Sequence, residues 1–293
     1  MRGKLGKFFF RLRRSLFGDP PPRVMVLPLY GVIMSGGRLR QAINLAAVAE
    51  RIDEAFSAPG VSAVALQVNS PGGSPVQSAL ITKRIRDLAA EKHIPVLAFA
   101  EDVAASGGYM LALAGDEIYA NESSLVGSIG VISSGFGFKE AITKIGVERR
   151  LYTAGESKAM LDAFQDEKPE DVERLKEMQA EIHENFKKMV RDRRGKRLKG
   201  LRGRIFSGDV FTGHEAVKLG LIDGIGDLRA VLRDRFGENV KFQVLGEKKP
   251  RLGALLGFGQ KSGSTHVQGG LGDWPHAMLA AVEERLFWNR FGL

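Results

Sequence analysis

Two apolar runs of strand length, Val61–Asn69 and Pro95–Ala100, are each followed shortly by a glycine pair and then by a stretch with helical spacing. That repeated order constrains the fold more than any other feature. Strand, helix, strand implies parallel neighbours joined by crossovers, which bring the loops after successive strands to one edge of a sheet. The alternation extends both ways. Arg23–Met34 reads as a strand after the Pro20-Pro21-Pro22 linker, Leu39–Phe56, Val76–Glu91 and Ser106–Ala114 as helices, and Glu117–Ala120, Ile129–Ser133 and Val147–Thr153 as short strands. Pro169 opens a long helix whose Val172, Leu175, Met178, Ile182, Phe186 and Met189 form one apolar stripe for the core or a neighbouring subunit. Helices at Gly213–Leu219 and Leu228–Phe236 and a strand at Val240–Leu245 follow. The expected class is α/β, with repeated βα units around a largely parallel sheet, a long helix and helical extensions.

The glycine pairs carry the chemistry. Asp102-Val103-Ala104-Ala105-Ser106-Gly107-Gly108-Tyr109 sets one serine among small residues where a strand turns into a helix. A serine there is exposed as a nucleophile beside unpaired helix N–H groups, which favour developing negative charge. Close packing of strand on helix would ask for the same small residues. Asn69-Ser70-Pro71-Gly72-Gly73 follows the preceding strand and can turn its N–H groups outward. As an isolated motif it is a common turn. Adjacent parallel strands would bring both loops together, and the N–H groups of Gly73 and Gly107 would then make an oxyanion hole.

A serine nucleophile needs a base. The histidines at 93, 183, 214, 266 and 276 sit in polar helix ends, a loop and the tail, and none suggests a triad. With no cysteine in the chain, thiol nucleophiles, disulfides and thiolate metal sites are excluded. A lysine serves if burial keeps it neutral. Lys158 lies among small and apolar residues, yet Glu156 and Asp162 would favour its charged form, and by itself it reads as a surface lysine.

The 293 residues suffice for one large domain with appendages. Their net charge of +9 is concentrated in two blocks. Lys187–Arg204 carries ten Lys/Arg against Asp192, and Arg191–Arg204 within it reads as a solvated or subunit-facing helix end and loop. Met1–Arg23 carries seven against Asp19, with Leu5, Phe8, Phe9, Leu12 and Leu16 at helical spacing. This reads as a helix on an anionic membrane surface, making contact through residues 1–17, ahead of a disordered tail or a transit peptide. No nucleic-acid motif accompanies either block, which argues against nucleic acid as a partner. No run of about eighteen apolar residues and no signal-peptide pattern is present, so a cytoplasmic protein on the inner face of the membrane is expected. The organisation expected is a basic amphipathic segment over 1–22, a catalytic domain over 23–246, a Gly/Lys/Ser-rich linker over 247–272 and a short amphipathic helix over 273–293.

Four blocks in order, NSPGGSPVQS, DVAASGGYMLALAGDEIYANESSLVGSIGV, YTAGESKAMLDAF and FSGDVFTGHEAVKLGLIDGIGD, resemble the signal peptide peptidase A family of serine peptidases. The resemblance runs from about Val24 to Leu245. It implies the fold shared by the Clp protease proteolytic subunit and the crotonases, Ser106 as nucleophile and Lys158 as general base. It further implies Gly73 and Gly107 as oxyanion donors and Ser128 as the residue that orients the lysine. It implies peptide substrates, among them signal-peptide remnants and other membrane-associated peptides, a homo-oligomeric ring, and no metal or other cofactor. Many members carry a transmembrane anchor or a duplicated domain, whereas one copy is seen here. Two other functions fit the same fold: a crotonase-like acyl-thioester enzyme, which would need an acidic residue beside the oxyanion loop, and a non-catalytic membrane-associated scaffold.

Overall fold

The computed structural model describes residues 20–35, 42–155, 157–200, 202–246 and 285–292. The basic segment, save residues 20–22, and the linker expected over 247–272 lie outside these residues. Of the expected C-terminal helix only 285–292 is described, helical from 285 to 289.

Eight strands form one sheet: β1 (Arg23–Tyr30), β2 (Val61–Ser70), β3 (Val96–Ala105), β4 (Glu117–Ala120), β5 (Leu125–Gly127), β6 (Val210–Thr212), β7 (Gly224–Ile225) and β8 (Lys241–Val244). The main path runs β6-β5-β3-β2-β1-β8, with β4 beside the first half of β3 and carrying β7. Every pairing is parallel except β5 with β6. The largely parallel α/β fold expected from the strand–helix alternation is the fold observed. Near-continuous apolar runs suit strands covered on both faces.

Among the described residues the sheet is accompanied by helices α1 (Leu45–Ser57), α2 (Pro75–Lys92), α3 (Gly107–Ala112), α4 (Lys139–Lys144), α5 (Pro169–Arg194), α6 (Arg202–Ile205), α7 (Gly213–Leu219) and α8 (Leu228–Phe236). Local signals set their ends. Asn44 caps α1 by accepting from Ala47 N at 2.9 Å. Ser74 followed by Pro75 starts α2, and His93 ends it in the left-handed region. Asp227 caps α8 through Arg229 N and Ala230 N. One face of the sheet meets α1, α2, α3 and the end of α5 through Leu27, Ile52, Leu66, Ile81, Leu111 and Val190. The other meets α8 through Val26, Ala65, Phe99 and Leu232.

Two expected strands are absent. Ile129–Ser133 leaves the sheet because Ser128, with φ 51°, turns the chain out after β5. Val147–Thr153 has strand-like composition but is exposed, and among the described residues it pairs with no strand. It belongs to an arm, residues 131–168, in which only α4 is regular. The apolar stripe of α5 divides accordingly. Phe186 is buried, with Val190 beside the stripe, whereas Ile182 is 37% exposed.

Candidate active site

The site is built where β1, β2, β3 and β5 end. Parallel register sets Tyr30 against Asn69, Ser70 against Ala104 and Ala105 against Gly127, so the following loops leave at one edge. The loop after β2 is stitched to the segment after β1 by two hydrogen bonds. Ile33 N donates to Gly72 O at 2.8 Å, and Ser74 N donates to Ile33 O at 2.7 Å. Those bonds bracket Gly73. Its φ of +134° is a conformation L side chains rarely adopt, and a Cβ there would sit 2.0 Å from Ile33 O.

Ser106 joins β3 to α3 with φ 53° and ψ −121°. A non-glycine residue held there stores about 1–3 kcal/mol of strain, which persists only where the surroundings over-determine it. Such a strand-to-helix turn also projects the side chain out of the backbone. The surroundings are visible. Ser106 N donates to Gly127 O at 2.8 Å, and Gly72 packs so closely that a Cβ on it would lie 2.7 Å from Ser106 Cβ. Gly107 has no room either: its Cβ would meet Ser78 Oγ at 2.5 Å and Gly73 N at 3.3 Å.

The amides of Gly73 and Gly107 are thus neighbours. Among the described residues neither donates to a backbone carbonyl. Two adjacent N–H groups without acceptors, beside a half-buried serine, can receive a developing oxyanion. The helix contributes little as a dipole, since α3 has six residues; the individual donors matter.

Ser128 follows Gly127 directly and is 7% exposed. Its N–H donates to Asp209 O at 2.7 Å. Because Gly127 pairs with Ala105, Ser128 sits in register with Ser106, and both have positive φ. The structure thus brings Gly73, Ser106, Gly107 and Ser128 to one edge.

Lys158 is different. It is exposed on the arm, and no hydrogen bond joins it to Ser106. Among the described residues, every hydrogen bond, ion pair and aromatic contact made by 138–168 ends between 136 and 172. Asp162, which in the sequence argued for a charged lysine, is engaged by Arg149 at 2.7 and 2.9 Å. That carboxyl is held below its ordinary range by the Arg149 hydrogen bonds first and the Phe164 N–H second.

Three contributors escaped the sequence reading. Gly72 and Gly127 were findable, since each adjoins a residue already singled out. Ile33 was not, because an apolar residue just past a strand carries no mark that it brackets a glycine. The basic block also folds otherwise than expected. Arg194 is 2% exposed and forks onto Asp223 at 2.7 and 3.1 Å, while Arg193 is half-buried.

Among curated proteins, the chain is 51% identical over 288 residues to proteins from Brucella abortus (strain 2308) and Brucella melitensis biotype 1, each named Na(+)/H(+) antiporter NhaA. Both alignments cover 97% of this chain but only 39% of the relative. The chain therefore spans well under half the length of these relatives, and their name describes the longer proteins. No helix of the described residues is long and apolar enough to cross a membrane. A protein of Enterococcus faecium named "Putative signal peptide peptidase SppA" is 29% identical over 71% of this chain and 61% of its own length. Among solved structures, a point mutant of the 1510-N membrane-bound stomatin-specific protease has a TM-score of 0.48 and 17% identity, over 78% of this chain and 100% of that one. The profile of Peptidase family S49 matches residues 89–238, just over half of the 293, and takes in Ser106, Ser128 and Lys158. This chain belongs to Peptidase family S49.

Proposed function

We propose that the protein is a serine endopeptidase that works through a Ser106–Lys158 dyad completed between protomers. The observation that carries this reading is the strained Ser106 turn set beside the amides of Gly73 and Gly107, which have no acceptor among the described residues. Neutral Lys158 takes the Ser106 hydroxyl proton as Oγ attacks the peptide carbonyl, and Ser128 orients the amine. The two amides hold the oxyanion. Lys158 then protonates the leaving amine, and water releases the acyl group from Ser106.

A lysine that acts as general base must be taken out of water, and Lys158 on the arm is exposed. The arm also exposes Ile132, Phe136, Ile145, Val147 and Tyr152, the last by 90%. An apolar surface of that extent suits a subunit contact. A second copy of the chain covering the arm would bury Lys158 beside a neighbour's Ser106, and repetition of that head-to-tail contact closes a ring. Substrates are peptides with small or apolar residues at the scissile bond, including membrane-associated remnants of signal peptides, as the name of the Enterococcus relative suggests.

The test is cleavage of a fluorogenic apolar peptide in mild detergent by wild type, Ser106→Ala and Lys158→Ala, each checked for assembly. Loss of activity in both variants with assembly intact is expected. An active Lys158→Ala protein would overturn the base, and an assembled wild type inert across a peptide panel would overturn the enzyme.

A further inference from the structure

The turn that directly follows α3, residues 113–115, has its three carbonyls held by arginine side chains, and one carbonyl of α3 itself is held by a threonine. Thr82 Oγ1 donates to Met110 O at 2.8 Å, Arg86 Nη1 to Ala114 O at 3.0 Å, and Arg193 donates twice. Its Nε reaches Leu113 O and its Nη2 reaches Gly115 O, both at 2.8 Å. Leu111 O and Ala112 O accept from Ala114 N and Gly115 N. Asp116 steadies the two arginines, with Oδ1 at 2.7 Å from Arg86 Nη1 and 3.6 Å from Arg193 Nη2.

A single donor fixes a distance, whereas a guanidinium fork across two carbonyls fixes orientation as well. The other end of this short helix is Gly107, directly after the strained serine. Gly73, by contrast, is fixed by Ile33, on a different segment. A small shift of α3 would therefore move Ser106 and one amide relative to the other amide. We propose that Arg193 is a positioning residue for peptide hydrolysis, seating α3 so that Ser106 and Gly107 N–H face Gly73 N–H. This rests on the reading of Ser106 as nucleophile. Arg193 touches neither substrate nor reacting atoms. It acts on a geometry that matters most in the transition state, where a displacement of ~1 Å costs about a hundredfold.

The experiment compares full-length, assembled wild type with Arg193→Gln, the milder Arg193→Lys, and Leu232→Ala as a control in the separate core under α8. It reads kcat and KM on the apolar peptide, the pH midpoint of kcat/KM, and thermal stability. Arg193→Gln should lose at least about tenfold in kcat with KM within twofold and the pH midpoint unmoved. Arg193→Lys, which keeps the charge and one bond, should fall between it and wild type. The positioning role is overturned if Arg193→Gln keeps kcat within twofold, or if Leu232→Ala, equally destabilised, loses as much. Should Arg193→Gln not assemble, Arg193→Lys decides alone, a wild-type kcat sinking the idea. An active Ser106→Ala protein would instead bring down the nucleophile assignment on which this depends.

Discussion

The amide of Ser106 donates to the carbonyl of Gly127 at 2.8 Å, carrying the β3–β5 ladder one residue past the end of β3. That bond, with Gly72 pressed beneath, holds Ser106 in a conformation with φ 53° that a free serine would leave. Strain of this kind is measurable. Glycine tolerates the same angles, so Ser106→Gly should be about 1 kcal/mol more stable than Ser106→Ala, despite glycine's greater entropy loss on folding. Both should be inactive. Denaturant unfolding of the pair checks it, and equal or reversed midpoints would remove the argument for strain.

Gly72 supplies a second test. A Cβ there would lie 2.7 Å from Ser106 Cβ and 2.9 Å from both Ala105 O and Gly107 N, at a φ of +105°. Two of those three neighbours are backbone, so the serine turn itself must move. Gly72→Ala should reduce kcat/KM by about a hundredfold, the cost of a misplacement near 1 Å. Gly60→Ala is the matched control: its φ is also positive, at +71°, but nothing lies within 4 Å. It should cost about 1–2 kcal/mol of stability and leave kcat unchanged.

Much of this arrangement could be read from the sequence, for identifiable reasons. The boundaries of α7 and α8 coincide with their expected spans, because Gly220, Asp227 and Gly237 punctuate them locally. Both glycine loops stood out because close approach and positive φ are local demands on one residue. Arg193 and Arg194 were misjudged because a basic run at a helix end usually points to water, and only the tertiary fold supplied Leu113 O, Gly115 O and Asp223. The relation of Lys158 to Ser106 was not legible from spacing. It depends on what covers the arm, which no periodicity encodes.

Asp223 gives a pH-dependent prediction. Burial pushes its carboxyl up, but hydrogen bonds from Arg194 and Ile118 N and the charges of Arg194 and Arg197 outweigh that and hold it below the ordinary 3.8. A depressed folded value means the stabilisation is complete above the unfolded value and lost as pH falls through the folded one. Asp223→Asn leaves the Arg194 side chain, 1% exposed, without its counter-charge and should cost about 3–5 kcal/mol at neutral pH. The gap to wild type should begin to narrow as pH falls below about 4, where the unfolded carboxyl takes up a proton, and close once pH passes the depressed native value. Thermal melts across pH decide this, and a gap that stays constant into acid would assign the stabilisation elsewhere.

The arm sets the last prediction. If Lys158 serves a neighbouring Ser106, the two single variants are defective in different protomers' contributions. Mixing Ser106→Ala with Lys158→Ala and reassembling them should then restore activity that neither shows alone. In a random one-to-one ring, about a quarter of contacts pair an intact serine with an intact lysine, so about a quarter of wild-type activity is expected. A dyad within one protomer would give none, because every chain lacks one partner. Tyr152→Asp, charged at the most exposed apolar position of the arm, should lower both assembly and activity together. Size-exclusion chromatography with activity measured across the fractions reads both. A fully active monomer would show that the arm closes onto its own site, and the subunit-completed dyad would have to be abandoned.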